Sequence, residues 1–289
     1  MKILIAYDGS QCADAALDDL HRAGLPAKAH AVVLSVIENW LPPPSTLEVL
    51  EAVDRRMEAT ALAQRGAARL RSLMPGWEIE PEAGFGTPAG VIIEKAERWK
   101  ADLIIVGSHG RSAMGRFFPG SVSQQLVHQA HCSVRVARGR LDEPGLPVRL
   151  IIGVDGSKYA DAAVRAVASR AWPQGSQARL VNASWTIPPT AAEPMMIEVA
   201  EWMSAESARV KQMIARAENS LSAAGLATSV VERPEDPKKL LLSEAENWGA
   251  DCIFVGAKGV GRVERLLIGS VSSAIAARAH CSVEVVRAQ

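Results

Sequence analysis

"DLIIVGSHGRSAMGRFFPGS" occupies residues 102–121, and "DCIFVGAKGVGRVERLLIGS" occupies residues 251–270. Each begins with an apolar run of strand character and then leaves it through glycine. In both, the order is glycine, two residues, glycine, nine residues, then Gly-Ser-Val-Ser. The frames are Gly107, Gly110, Gly120 and Gly256, Gly259, Gly269. Apart from the frame only one arginine persists between the two loops, Arg116 or Arg265. A frame that holds while its filler drifts points to a task done by backbone rather than by side chains.

Working outward, the rest of the chain repeats too. "IAYDGSQCADAAL" (5–17) matches "IGVDGSKYADAAV" (152–164) at an offset of 147. "ERWKADLIIVGSHG" (97–110) matches "ENWGADCIFVGAKG" (246–259), and "QAHCSVRV" (129–136) matches "RAHCSVEV" (278–285), both at an offset of 149. Self-similarity at a fixed period signals duplicated structural units. Two domains are therefore expected, 1–140 and 148–289, joined through the Gly- and Pro-rich "GRLDEPGLPVR" (139–149). The 289 residues agree with two domains at roughly 150 residues each.

Each half alternates short apolar runs with helical periodicity. In the first half the predicted strands are Ile3–Ala6, Ala31–Ile37, Trp77–Ala83, Leu103–Val106 and Ser133–Ala137. Helices are predicted over Asp14–Arg22, over the long segment after the prolines 42–44, over Ala89–Lys100, and from Ser121. Strands separated by helices imply right-handed crossovers and a parallel sheet. The expected fold is α/β: two tandem Rossmann-like domains, each a five-stranded parallel open sheet with helices on both faces.

Composition limits the function. Lys plus Arg equals Asp plus Glu, 32 each, so no global field draws nucleic acid or an anionic membrane. The first apolar run is too short for a signal-peptide core, and no run approaches a membrane span. Cys12, Cys132, Cys252 and Cys281 form no CxxC pair, so reduced thiols and a cytoplasmic location are expected.

Ligands of open parallel sheets bind beyond the carboxyl ends of the strands, where Gly107 and Gly110 stand. "SVSQ" has the form of a capping box, with Ser121 at the cap and Gln124 three residues on. A helix N-terminus offers free N–H groups and partial positive charge to phosphate. The loop therefore reads as a phosphate cradle of main-chain N–H groups, with the Ser121 and Ser123 hydroxyls nearby and Arg111 and Arg116 adding charge. The rival reading is a surface loop whose glycines serve tight turns.

The frame, together with Asp in "YDGS" and "VDGS" after the first strand of each half, resembles the ATP-binding branch of the universal stress protein family, in its tandem form. The resemblance covers nearly the whole chain, twice, and implies the fold of the adenine nucleotide alpha hydrolase-like group. It implies ATP in each domain, with Mg or Mn held through the phosphates. In the first half it assigns Gly107, Ser108, His109, Gly110, Arg111, Ser112, Ala113, Gly120, Ser121, Val122 and Ser123 to the phosphate and ribose loop. Asp8 and Ala6 fall beside the adenosine, and Val36 at the adenine. In the second half the corresponding residues are Gly256, Ala257, Lys258, Gly259, Val260, Gly261, Arg262, Gly269, Ser270, Val271 and Ser272, with Asp155, Gly153 and Ala183. Lys258, Val260 and Ala183 depart from His109, Arg111 and Val36, and Glu264 adds negative charge. The family implies a nucleotide-responsive regulator of stress survival with a protein partner, built as an intramolecular pseudo-dimer joined through the last strands, a homodimer of chains being the further assembly. The alternatives are a slow ATPase or nucleotide-processing enzyme, and a nucleotide-free scaffold with vestigial loops.

Other motifs carry less. "GFGTPA" (84–89) fits a dinucleotide fingerprint but has "RPEDPK" (233–238) as its counterpart, and reads as a strand–helix turn. The two "HC" pairs (131–132, 280–281) fall at opposite ends of paired last strands, which makes a shared tetrahedral metal site awkward. "EPMMIEVAEWM" (193–203) reads as packed core, and the prolines after Trp40 and Trp185 as a lid or a spanning loop.

Overall fold

The computed structural model describes residues 1–38, 46–110, 120–138, 145–184, 196–259 and 268–288. Side chains at 46–54, 196–203 and 206 lie outside that description. So do the proposed lid prolines, Trp40, Trp185 and the methionine-rich face.

In the first half β1 (Lys2–Ala6), β2 (His30–Ile37), β3 (Glu78–Phe85), β4 (Leu103–Gly107) and β5 (Ser133–Ala137) alternate with α1 (Gln11–Asp18), α2 (Thr46–Leu73), α3 (Pro88–Trp99) and α4 (Ser121–Gln129). The second half repeats this with β6 (Arg149–Gly153), β7 (Gln177–Ala183), β8 (Ala227–Arg233), β9 (Cys252–Gly256) and β10 (Ser282–Val286). Its helices are α5 (Lys158–Ala168), α6 (Met196–Ala223), α7 (Pro237–Trp248) and α8 (Ser270–Arg278). Within each half every pairing is parallel, and the ten strands form one sheet in the order β3-β2-β1-β4-β5-β10-β9-β6-β7-β8.

Side chains alternate across the sheet. Leu4, Ile104 and Val134 face a core shared by both halves under α3, α4, α7 and α8. Ile3, Ile5 and Ile105 face a separate core under α1 and α2, and Leu150, Ile152 and Phe254 face another under α5 and α6. Because β4 and β9 are buried throughout, both read as unbroken apolar runs.

The halves meet where β5 and β10 pair antiparallel, Arg135 opposite Glu284. The join is made twice by equivalent residues. Arg138 N–H donates to Ser282 Oγ at 2.9 Å, and Arg287 N–H to Ser133 Oγ at 3.2 Å. The Arg138 guanidinium then reaches the Ala276 carbonyl in the last turn of α8 (2.6 Å), and that of Arg287 reaches the Val127 carbonyl of α4 (2.9 Å). The antiparallel pairing also sets His131–Cys132 and His280–Cys281 at opposite ends.

One helix start and one helix cap differ from the sequence expectation. The predicted helix over Asp14–Arg22 begins earlier, at Gln11, because Ser10 Oγ accepts the Ala13 N–H (3.1 Å) and caps it. From Asp19 to Arg22 it tightens into a 3-10 turn. The capping box at Ser121 does not form: Gly120 is the cap, and no side chain caps α4. The Gly120 N–H is tied to the Ser108 carbonyl (2.9 Å), residue 120 is extended, and the helix starts at Ser121, where the sequence placed it. "GFGTPA" is a strand–helix turn, with Gly86 at φ 129° and Pro88 opening α3.

Candidate functional site

The Asp-Gly-Ser motif builds the first wall. Asp155 Oδ1 accepts the Ser157 N–H at 3.0 Å, and Ser157 Oγ accepts the Ala160 N–H at 3.1 Å, capping α5. Asp8, Ser10 and Ala13 repeat this. Gly9 (φ 75°) and Gly156 (φ 78°) lie between, in the left-handed region glycine favours. An arginine from the long helix of each half binds the glycine carbonyl: Arg65 to Gly9 O (2.9 Å) and Arg209 to Gly156 O (3.3 Å). Sequence reasoning missed both arginines, since neither is distinguished from the other charges on its helix.

The glycine loop builds the second wall, and its glycines divide their work. A Cβ on Gly256 would lie 2.5 Å from the Tyr159 carbonyl carbon, and one on Gly107 would lie 2.9 Å from the Cys12 carbonyl oxygen. These two glycines let the first helix of each half pack against the end of the fourth strand. A Cβ on Gly259 would stand 2.6 Å from Asp155 Oδ2, and one on Gly110 3.0 Å from Asp8 Oδ2. Each of these brings an aspartate against the loop. The frame closes through Gly120 N–H to Ser108 O (2.9 Å) and Gly269 N–H to Ala257 O (2.7 Å).

Ser123 and Ser272 were expected among the loop's ligand-facing residues. Both are buried, and their hydroxyls donate inward, Ser123 to Gly120 O (2.9 Å) and Ser272 to Gly256 O (2.5 Å). They brace the frame. Among the described residues no side chain caps α4 or α8, and the first N–H groups of such helices suit an anion.

In the second half these parts enclose a cavity of about 800 Å³, within the usual range of ligand pockets. Gly153, Asp155, Ala183, Gly256, Lys258, Gly259, Gly269, Ser270, Val271 and Ser272 all line it. It also takes in Leu240, Leu241, Ile268, Glu235 and Asp236, which the sequence did not point to. Asp236 caps α7 by accepting the Lys238 and Lys239 N–H groups, and Glu235 pairs with Lys239 at 2.8 Å. Lys258 extends over the Tyr159 ring at 6.0 Å. Ala257, buried beside the cavity, contributes its carbonyl to the closure.

In the first half Ser108 Oγ and His109 Nδ1 lie 2.9 Å apart, and His109 Nε2 is buried without a hydrogen-bond partner among the described residues. The Ala6 and Val36 side chains pack on the shared core. Behind the turn, burial first, then the hydrogen bond to Asp14, pushes the Tyr7 hydroxyl pKa up. Arg111, Ser112, Ala113, Arg116, Val260, Gly261, Arg262, Glu264 and Arg265 lie outside the described residues. Among the described residues no group of three His, Cys, Asp or Glu side chains could hold a metal ion, and no helix is long and apolar enough to cross a membrane.

Two parallel units, each carrying this loop, define the class, and comparison with known proteins agrees. Residues 1–138 and 148–287 each match the model of the universal stress protein family. The chain belongs to that family, as a tandem member. It is 27% identical over 298 residues to a universal stress protein of Mycobacterium tuberculosis (strain ATCC 25618 / H37Rv), covering 99% of this chain and 96% of that one. It is 37% identical over 149 residues to one of Thermus aquaticus, covering 47% of this chain and 97% of the relative. In fold it is similar to the crystal structure of a universal stress protein from Archaeoglobus fulgidus DSM 4304. That match has TM-score 0.66 and 21% identity, and covers 99% of this chain and 96% of that chain.

Proposed function

We propose that each half binds an adenine nucleotide, ATP by preference, and that the chain is a nucleotide-responsive regulator in stress survival. One observation carries this reading. In the second half the residues assigned from the sequence converge on one cavity, with the α8 N-terminus and Lys258 at one side and Leu240, Leu241 and Ala183 at another. A phosphate chain suits the first environment and a base the second. Gly107, Gly110, Gly120, Ser121 and Asp8 make the same frame in the first half. Mg or Mn, when present, is held through the phosphates.

The halves act as an intramolecular pseudo-dimer across β5 and β10, in the cytoplasm, consistent with four cysteines that form no disulfide. Occupancy shifts the balance of conformations that a protein partner reads. Slow hydrolysis is the second reading, favoured in the first half by the buried, unpartnered Nε2 of His109. Turnover of ATP by the purified protein, compared with His109→Ala, separates the two.

The direct test extracts the purified chain with acid and looks for adenine nucleotide, then titrates ATP calorimetrically. Bound nucleotide or a saturable heat is expected, and the double variant Gly110→Val, Gly259→Val should lose both. Neither signal from the parent chain, or undiminished binding by the variant, overturns the reading.

A further inference from the structure

The two last strands are nearly copies. Six of eight residues agree between 129–136 and 278–285, and one of the two differences is Arg135 against Glu284. This is the position where the strand meets its own equivalent. Val136 faces Val283, Arg135 faces Glu284, and Val134 faces Val285. The pseudo-twofold axis therefore passes between Arg135 and Glu284, whose side chains are each 1% exposed and lie 3.4 Å apart.

Each half neutralises its own member of the pair. Asp19 receives Arg135 through Nε at 2.8 Å and through its terminal nitrogen at 2.7 Å. Arg170 binds both carboxylate oxygens of Glu284 and also reaches the Ala23 carbonyl of the other half at 3.0 Å. Asp19 further accepts Ser282 Oγ across the seam at 2.9 Å. At the repeat offset Ala166 stands where the first half has Asp19, so the buried charge around the axis differs between the copies.

Suppose instead that β5 paired with β5 of a second chain in the same register. Two guanidiniums would then meet on the axis, away from water, and β10 with β10 would bring two carboxylates together. Burying like charges is expensive, whereas an apolar pair there would be indifferent to which copy it met. We infer that Arg135 and Glu284 are specificity-determining residues: they make the edge strand of each half accept the other half and reject a second copy of itself. The partner that fits β5 is β10, and the charge reversal encodes that choice. This stands apart from the nucleotide reading and uses none of its residues.

Two experiments test it. In the first, the full chain carries a protease site after Leu141, is cleaved while folded, unfolded in urea and refolded, and native mass spectrometry counts the three pairings of the fragments. The parent should give mixed pairs in at least tenfold excess over like pairs, and Arg135→Met, Glu284→Met should move toward the statistical distribution. Like pairs at statistical abundance in the parent, or an unchanged preference in the apolar variant, overturns the inference. The second uses the uncleaved chain and compares Glu284→Lys with Glu284→Met. The side chains are similar in volume and both leave Arg170 unmatched, but only lysine opposes Arg135 with like charge. The lysine variant should melt lower by more than about 5 °C; equal midpoints overturn the inference.

Discussion

The carboxylate of Asp155 lies against Gly259, its Oδ2 2.6 Å from where a Cβ on that glycine would stand. Its other oxygen already holds the Ser157 N–H. The end of β6 and the loop after β9 are therefore registered to each other by one side chain. Gly259→Ala should displace the carboxylate, lower stability by about 1 kcal/mol and weaken the ATP binding proposed for the second half. In an Asp155→Ala background the same change should cost much less, a non-additivity that a urea double-mutant cycle measures.

Gly256 meets backbone rather than a side chain, so its substitution is predicted to be harsher. A Cβ there would force α5 away from the sheet. Gly256→Ala should lose about 2 kcal/mol or more, exceeding both Gly259→Ala and Gly107→Ala, whose nearest atom is 2.9 Å away. Chemical denaturation of the three variants checks the order.

Ser272 separates a brace from a ligand contact. Ser272→Ala leaves the buried Gly256 carbonyl short of a donor and should lower stability by about 1 kcal/mol. ATP affinity, measured calorimetrically, should change less than about threefold (under 0.7 kcal/mol). A large loss of affinity at unchanged stability would reverse the assignment.

Lys100 is the only described non-glycine residue with positive φ (57°), and Gly249 holds the equivalent helix end at φ 65°. Lys100→Gly should stabilise by about 0.5–1 kcal/mol by relieving the left-handed strain. Gly249→Ala should destabilise by a similar amount, and thermal melts of both variants report the sign.

Burial pushes the Cys132 thiol up to about 11 and that of Cys252 higher still. Above the ordinary thiol value of about 8.5 the unfolded chain releases these protons while the folded chain keeps them. Stability is then fully present below pH 8.5 and falls as pH rises toward 11, by up to about 1.4 kcal/mol per pH unit for each thiol. Cys132→Ala, Cys252→Ala should flatten the alkaline limb of a stability–pH curve.

The repeat, the strands and the glycine frame were legible because they rest on local composition and on comparison of the chain with itself. What the frame is for was only half legible. Gly107 and Gly256 answer to the carbonyls of Cys12 and Tyr159, nearly a hundred residues away, and no local pattern names such a neighbour. The cap at Gly120 was missed because it is set by a hydrogen bond to Ser108 O, across a loop. The inward hydrogen bonds of Ser123 and Ser272 were not legible, because a hydroxyl beside a helix start serves either direction until the carbonyl it meets is known. Arg135 and Glu284 were visible as a mismatch in the repeat, but the mismatch acquires meaning only when β5 and β10 are seen to oppose them.

The reversal of strand direction between β5 and β10 fixes where the chain can be approached. Strands of one half run up where those of the other run down, so their carboxyl ends open at opposite poles of the single sheet. Gly107 and Gly256 thus stand at opposite poles, with α4 and α8 lying between them and each pinned by an arginine from the far side. A partner the size of one half meets one pole at a time. Under the proposed nucleotide reading, sensing both poles takes either two such partners or one long enough to span the sheet.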